Sequence, residues 1–328
     1  MYPAVTCSLL PRMDPMTSST TDAASPYAAA LAALPVRREE VPLLGGLTRY
    51  WDYGDPDART TLVLFHGFRG DHHGLEPIVA QLHGVRLLSP DLPGFGESTP
   101  LTEAAHDIAG YGRWLRAFLA ELDLDGRVVL LGHSFGSIIV SGTLAEPGGW
   151  RPDAVVLVNP IGQPALRGPR GILTRLAIVY YGLAAALPER LGFALLRNRI
   201  IVRAMSVAMT KTKDKALRRW VHRQHDRYFS AFGDRRVMLE AFTASVSHDV
   251  SEYAARISER TLLVAAVDDD ITPIEAERRL RTLFPDARLV EIADVGHLIH
   301  YEKPVEAARA IGAFLAEWSG PAEGKSLP

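Results

Sequence analysis

Cysteine is almost absent from this 328-residue sequence. The single thiol, Cys7, excludes an internal disulfide and leaves no thiolate cluster that would hold a metal. No run reaches the roughly 18 uninterrupted apolar residues of a transmembrane helix. The N-terminal stretch lacks the basic start and the apolar core of a signal peptide. These absences predict a cytoplasmic protein that needs no oxidising compartment.

Charge and composition divide the chain unevenly. Residues 1–35, rich in Ser, Thr, Ala and Pro, are predicted to be a disordered leader with Met13 or Met16 as the true start, and residues 321–328 a flexible tail. Residues 161–248 hold 16 Lys and Arg against 5 Asp and Glu, a net charge of +11 in a chain whose total is -2. No nucleic-acid-binding module accompanies this segment, so an anionic substrate or an anionic membrane surface is the expected partner.

Apolar runs alternate with helical patterns, which predicts an α/β fold with a mostly parallel sheet flanked by helices. After a hairpin around Gly45-Gly46 come six strand-like runs, at 61–67, 85–91, 127–133, 154–160, 261–270 and 287–297. About 100 residues separate the fourth and fifth of these runs, far more than a crossover needs. Helical patterning there predicts a helical lid at 161–248, inserted into a core domain of residues 36–160 and 249–320.

Polar side chains stand at the carboxyl ends of the predicted strands, where ligands bind in open parallel sheets. They are His66, Asp91, Ser134, Asn159, Asp269 and His297. Ser134 is the centre of GHSFG at 132–136, between a strand and a helix, which is the frame of a G-x-S-x-G nucleophile elbow. The two glycines indicate a tightly packed corner that exposes the hydroxyl. A purely structural turn is the alternative.

The chain resembles the α/β-hydrolase superfamily over residues 38–318. Five motifs of this chain stand in that family's order, namely His66-Gly67, DLPGFGES at 91–98, the elbow, an aspartate before Pro273, and Gly296-His297. The resemblance implies a lid-bearing serine hydrolase in which serine, acid and histidine follow one another along the chain. It implies Ser134 as nucleophile, Asp269 as acid because it stands four residues before Pro273, and His297 as base.

Two of these assignments have alternatives. Asp268 and Asp270 flank the favoured acid and are otherwise loop-capping or solvated carboxylates. Some relatives carry the acid after the sixth strand, where this chain has Asn159, an amide without the charge that stabilises an imidazolium. His300 is the alternative base, three residues past the favoured one, and is otherwise a surface or lid-facing histidine.

The resemblance also implies an oxyanion hole made by the backbone N–H groups of Phe68 and Phe135, whose rings can be core aromatics at the same time. No cofactor and no metal are expected. His72-His73 with Asp71 is a combination that invites a metal. Adjacent histidines seldom share one ion and no third ligand is suitably spaced, so a solvated loop is expected there.

The sequence therefore predicts a serine hydrolase that cleaves a carboxylic ester or a related acyl substrate through an acyl-enzyme on Ser134. The apolar and basic segment 161–248 favours a hydrophobic substrate with an anionic part, although its apolar residues can equally form the lid's own core and its arginines a solvated face. Hydrolysis of amides, lactones or carbon–carbon bonds and acyl transfer to an alcohol use the same residues. A non-catalytic binding protein is the remaining class.

Overall fold

The computed structural model describes residues 25–122, 124–164 and 171–317. Its strands are β1 (Val36–Leu43), β2 (Gly46–Tyr53), β3 (Thr60–Phe65), β4 (Arg86–Pro90), β5 (Arg127–His133), β6 (Ala154–Val158), β7 (Arg260–Ala266) and β8 (Ala287–Ile292). They form one sheet in the order β1-β2-β4-β3-β5-β6-β7-β8. β2 pairs antiparallel with β1 and β4, and the other neighbours are parallel. The predicted fold class and its strands are confirmed.

Helices flank the sheet and fill the long connection. Those preceding β7 are α1 (Ala28–Ala32), α2 (Glu76–Val79), α3 (Ile108–Glu121), α4 (Phe135–Ala145), α5 (Gly171–Ala186), α6 (Glu189–Leu196), α7 (Arg199–Met209), α8 (Lys215–Tyr228) and α9 (Arg235–Ser247). After β7 come α10 (Ile274–Arg281), α11 (Ile299–Glu302) and α12 (Pro304–Ala316). Helices α5 to α9 thus occupy the connection between β6 and β7. Over the described ranges, no helix combines the length and apolarity that crossing a membrane requires.

The central strands are buried on both faces, as parallel strands covered by helices usually are. Along β3, Leu62 and Leu64 join a core cluster that includes Ile78 of α2 and Ile311 of α12. The intervening Val63 and Phe65 join the opposite cluster, with Trp114 of α3 and Ile138 of α4. This alternation follows from the two-residue period of a strand. It fixes the register of β3, and with it the loop that leaves its carboxyl end.

Part of the predicted disordered leader is ordered. Ala28–Ala32 form α1, and the Tyr27 ring meets the edge of Trp220 at 5.6 Å between centroids. The Tyr27 hydroxyl donates to the Tyr301 carbonyl at 3.2 Å. The leader therefore ends before residue 35, because this aromatic contact anchors its last residues to the folded chain. Residues 1–24 and the predicted tail at 321–328 lie outside the described residues.

Candidate active site

Ser134 lies at the corner between β5 and α4 in a conformation that side chains rarely adopt, with φ 52° and ψ -115°. The glycines on either side are required by contact. A Cβ on Gly132 would lie 2.6 Å from the Gly136 carbonyl oxygen, and one on Gly136 would lie 2.3 Å from the Phe65 carbonyl oxygen. The serine is half-buried whereas its neighbours are buried, so it is less exposed than expected.

His297 joins the predicted nucleophile and the predicted acid. Its Nε2 lies 2.8 Å from the Ser134 Oγ, and its Nδ1 lies 2.7 Å from Oδ2 of Asp269. Asp269 is held in turn, because its Oδ1 accepts the backbone N–H groups of Ile271 at 2.7 Å and Thr272 at 3.2 Å. A carboxylate at Nδ1 places the ring proton there and directs the Nε2 lone pair at the hydroxyl. The structure thus brings together three residues that come from three separate strand ends.

The alternative acids and base occupy different surroundings. Asp268 is exposed, and the Asp270 carboxylate pairs with the Lys211 ammonium between α7 and α8. His300, expected to be a surface or lid-facing histidine, is not at the surface, since its side chain is buried and its ring centroid is 4.1 Å from that of His133. The sequence around His300 gives no sign that this side chain is buried. Its burial depends on the packing of α11 against His133, beside the elbow.

Asn159 is a functional position whose role the sequence did not reveal. It follows β6 in a left-handed conformation, with φ 42°. Its side-chain oxygen accepts the Ala266 N–H at 2.9 Å, and its amide nitrogen donates to the His297 carbonyl at 2.8 Å. Asn159 therefore ties the end of β7 to the loop that carries His297. The signal available in the sequence was a polar residue at a strand end, which does not specify its partners.

The two predicted oxyanion donors flank the hydroxyl. A Cβ on Gly67 would lie 3.2 Å from the Ser134 Cβ, so the loop after β3 passes directly beside the nucleophile. Within the described ranges, the N–H groups of Phe68 and Phe135 have no hydrogen-bond acceptor. Neither N–H group is therefore engaged by another part of the described chain. The Phe68 ring lies 6.3 Å from the Phe135 ring, 5.8 Å from Tyr181 of α5 and 6.0 Å from Phe242 of α9, between centroids.

His66 and Asp91 shape the loops around this corner. His66 Nδ1 donates to the Gly67 carbonyl at 2.8 Å, and its Nε2 accepts the Leu92 N–H at 2.9 Å. Burial lowers the pKa of His66, which keeps the ring neutral in this donor-and-acceptor role. The buried Asp91 carboxylate accepts the N–H groups of His72 and Glu97, each at 2.7 Å. Asp91 therefore holds the two loops that carry His72 and Glu97.

Asp71, His72 and His73 have donor atoms within 4.8 Å of one another, a spacing compatible with a metal. The expected solvated loop is wrong, because Asp71 and His72 are buried. His72 stacks on Trp51 at 3.2 Å between centroids, and His73 stacks on Tyr228 at 4.0 Å. Since Nδ1 of His72 lies 2.9 Å from the Asp91 carboxylate, that nitrogen already has a partner. Stacking accounts for the buried position of the two rings, and this hydrogen bond occupies one nitrogen of His72.

A buried carboxyl lies near the triad acid. Glu277 of α10 is buried against Gly162, and its two carboxyl oxygens have no hydrogen-bond partner among the described residues. Burial raises the pKa of Glu277 well above its usual range, and the charge of Asp269 raises it further. Both effects disfavour a second negative charge beside Asp269.

Three buried imidazoles are neutral in the folded protein. Burial lowers the pKa of His133 and that of His225 to about 3, and it lowers the pKa of His300 well below its usual range. In an unfolded chain each would titrate near a pKa of about 6.5. Unfolding therefore takes up protons once the pH falls below that value, and the native state loses stability.

We expect the free energy of unfolding to fall as the pH is lowered from about 6.5 toward about 5. His133, His225 and His300 each take up a proton on unfolding, as does the buried His66, and each proton contributes about 1.4 kcal/mol per pH unit to the slope. Urea denaturation at a series of pH values measures this slope. A His300→Phe variant, which keeps a ring but cannot titrate, should show a shallower slope, and an equal slope in both proteins contradicts the assignment.

Arg69, the residue after Phe68, connects the site to the inserted helices. It has a left-handed φ of 63° and is only 4% exposed. Its Nε donates to the Phe229 carbonyl at 3.0 Å, its Nη1 to the Tyr181 hydroxyl at 3.1 Å and its Nη2 to the Leu196 carbonyl at 2.7 Å. One guanidinium thus holds the ends of α6 and α8 and the middle of α5 against the loop that carries the Phe68 N–H. Sequence reasoning did not single out this residue.

An Arg69→Met variant should therefore lower kcat/KM by about 10- to 100-fold, because a small misplacement of the reacting groups has an effect of that size. The loss should fall mainly on kcat if the Phe68 N–H is displaced. Arg69→Lys should recover part of it by restoring one donor. Steady-state kinetics on a p-nitrophenyl ester measure these changes.

Arg235→Met is the matched control. Arg235 Nη1 also donates to carbonyls at a helix end, those of Ala184 at 2.9 Å and Leu187 at 2.7 Å. Unlike Arg69, however, Arg235 lies within the insertion. An equal loss in both variants, or an Arg69→Met enzyme with unchanged kcat, would show that Arg69 does not position the loop.

Comparison with known proteins agrees with this architecture. Residues 62–310 match the alpha/beta hydrolase family. The chain is similar to the uncharacterized hydrolase YugF of Bacillus subtilis, with 25% identity over 290 residues that cover 87% of this chain and 99% of that protein. It is also similar to a 2-hydroxy-6-oxononadienedioate/2-hydroxy-6-oxononatrienedioate hydrolase of Cupriavidus pinatubonensis, with 27% identity over 270 residues, 78% of this chain and 86% of that protein.

Solved structures share the fold at lower identity. An esterase of Exiguobacterium antarcticum gives a TM-score of 0.67 at 17% identity and covers 85% of this chain and 100% of its own. An esterase of Thermogutta terrifontis gives a TM-score of 0.67 at 21% identity, with 86% and 98% covered. The family match spans most of the described core, and the two curated relatives named above are hydrolases. This chain belongs to the alpha/beta hydrolase family.

Proposed function

We propose that this hydrolase cleaves carboxylic esters through an acyl-enzyme on Ser134, with His297 as general base and Asp269 as the acid that orients it. The observation that carries the proposal is the continuous contact from the Ser134 Oγ through the His297 imidazole to the Asp269 carboxylate, at 2.8 and 2.7 Å. A serine hydroxyl is a weak nucleophile until a base at this distance accepts its proton.

The reaction follows from these positions. As the Ser134 Oγ attacks the ester carbonyl carbon, its proton passes to His297 Nε2, and Asp269 stabilises the resulting imidazolium. The carbonyl oxygen becomes an oxyanion that accepts the N–H groups of Phe68 and Phe135. His297 then protonates the departing alcohol, leaving an acyl group on Ser134. A water molecule, deprotonated by the same imidazole, releases the acid and restores the serine.

The aromatic side chains around Phe68 support an apolar acyl group. Tyr181 and Phe242 come from the helices between β6 and β7, and their rings stack on each other at 3.8 Å. We propose that these helices act as a lid over the acyl pocket. The excess of basic residues in 161–248 extends the proposal to hydrophobic esters that carry an anionic group.

The test is covalent labelling by a fluorophosphonate, followed by mass spectrometry of the labelled peptide, and hydrolysis of p-nitrophenyl esters of increasing chain length. We expect the adduct on the peptide that contains Ser134 and a rate that rises with acyl length before it levels off. Absence of both labelling and hydrolysis would overturn the proposal and favour a binding protein. Labelling without ester hydrolysis would favour an amide, lactone or carbon–carbon bond substrate, and product analysis with added alcohol would reveal an acyltransferase.

A further inference from the structure

The inserted helices expose an unusual amount of apolar surface. Of the eleven large hydrophobic side chains that are exposed in the described residues, seven lie on α5, α6 and α7. We call them the outer lid face, which consists of Leu176, Ile178, Val179, Leu183, Leu191, Ile200 and Val207. From the sequence, four of them were expected to line an acyl pocket or a lid core, namely Ile178, Val179, Leu183 and Leu191. The structure turns them away from both.

Helix α5 is apolar on both of its sides. Its inner side buries Tyr181 and Ala184 against the rest of the chain. Its outer side presents Leu176, Val179 and Leu183, which are each more than half exposed and follow the i, i+3, i+7 spacing of one helical face. A helix that is hydrophobic all round is normally covered on all sides. The outer side of α5 therefore needs a partner that the described residues do not supply.

The charges around this face identify the partner. Residues 171–209 hold five arginines and one glutamate. Arg175 precedes Val179 by one helical turn, and Arg190 and Arg199 are adjacent to Leu191 and Ile200 in the sequence; all three arginines are exposed. Helix α8 adds Lys215, Arg218 and Arg219, also exposed. Exposed apolar residues among cations match the boundary between acyl chains and anionic headgroups.

We propose that the outer lid face docks on the surface of an anionic lipid bilayer. The apolar residues enter the headgroup and acyl boundary, while the neighbouring arginines remain at the level of the lipid phosphates. α5 has 16 residues and lies along the surface without spanning it. A second copy of the chain fits this face less well, because an interface between two copies would bring two arginine-rich surfaces together. The proposal concerns binding and does not depend on the proposed catalytic triad.

The experiment is cosedimentation of the full chain with vesicles, in a Ser134→Ala background so that lipid hydrolysis cannot alter the vesicles. Vesicles of phosphatidylcholine alone are compared with vesicles of equal parts phosphatidylcholine and phosphatidylglycerol. We expect binding to the anionic vesicles, weaker binding to the neutral ones, and loss of binding as salt is added. Leu176→Glu and Leu183→Glu should each weaken binding about tenfold or more, as expected for loss of one inserted leucine and gain of a negative charge.

Leu283→Glu is the matched control, because Leu283 is also an exposed leucine but lies after α10, away from the insertion. Circular dichroism melting verifies that each variant is folded. No binding to the anionic vesicles, or an equal loss in Leu283→Glu, would overturn the proposal. So would self-association in light scattering that Leu183→Glu abolishes, since that result would assign the face to a second copy.

Discussion

Replacing Ser134 with alanine is expected to lower kcat for ester hydrolysis by about 10⁶-fold and to abolish fluorophosphonate labelling. The variant lacks the oxygen that forms the acyl bond, so His297 has no proton to accept at this position. Alanine tolerates the φ of 52° no worse than serine does, because both side chains begin with the same Cβ. The loss should therefore come without unfolding. Activity is measured on a p-nitrophenyl ester, and folding by the thermal midpoint.

A second serine on the same helix provides the control. Ser141 of α4 is buried, and its hydroxyl has no hydrogen-bond partner in the part of the chain that the structure describes. Ser141→Ala removes the same oxygen from the same element and should leave both labelling and turnover intact. Should Ser134→Ala still be labelled, or should Ser141→Ala lose activity to the same extent, the nucleophile has been misassigned.

The sequence could predict the sheet and the three central side chains because each was marked by a local pattern. The apolar runs of β3, β5, β6 and β7 are buried on both faces, and such strands read as continuous hydrophobic segments. Parallel strands end at one edge of the sheet, so polar residues that follow them in sequence meet in space. This reasoning grouped six polar residues, and the resemblance to the α/β-hydrolase order was needed to single out Ser134, Asp269 and His297 among them.

Contacts between residues far apart in the sequence are not indicated by any local sequence pattern. Arg69 contacts residues 112, 127 and 160 positions away, none of which has a pattern that points to an arginine. His72 was expected on a solvated loop and His300 at the surface or facing the lid, yet the stacking of His72 on Trp51 and the packing of His300 beside His133 bury both. Burial of a histidine depends on which elements meet over it. That information lies in the tertiary structure.

The orientation of α5 was also beyond the sequence. Helical spacing groups Leu176 with Val179 and Leu183, and it places Tyr181 on the opposite side. Because both sides are apolar, the pattern does not say which of them packs inward. The contacts decide it, since Tyr181 finds a second aromatic ring in Phe242 at 3.8 Å. A segment with one polar face would have had its orientation fixed by hydropathy alone.

Asp269→Asn is expected to lower kcat by about 10⁴-fold while the enzyme stays folded. The amide can present its N–H to His297 Nδ1, which moves the ring proton to Nε2. Nε2 then has no lone pair with which to accept the Ser134 proton. The amide also carries no charge to stabilise the imidazolium. Glu277 does not replace that charge, because burial disfavours its charged form and, within the described ranges, its carboxyl makes no hydrogen bond to His297. Single-turnover kinetics should show slower acylation with unchanged binding.

Variants of the two neighbouring aspartates serve as controls, because they distinguish a specific role of Asp269 in the triad from a general effect of negative charge near His297. Asp268→Asn removes an exposed charge. Asp270→Asn breaks the ion pair with Lys211, in which both side chains are partly exposed. A surface pair of this kind contributes about 0–1 kcal/mol, so each variant should lose less than about tenfold in kcat. A larger loss in Asp268→Asn or Asp270→Asn than in Asp269→Asn would transfer the acid to that residue. Equal and small losses in all three variants would mean that no carboxylate orients His297. The reason is that an amide should not be able to replace the Asp269 carboxylate in its 2.7 Å hydrogen bond to the buried His297 ring.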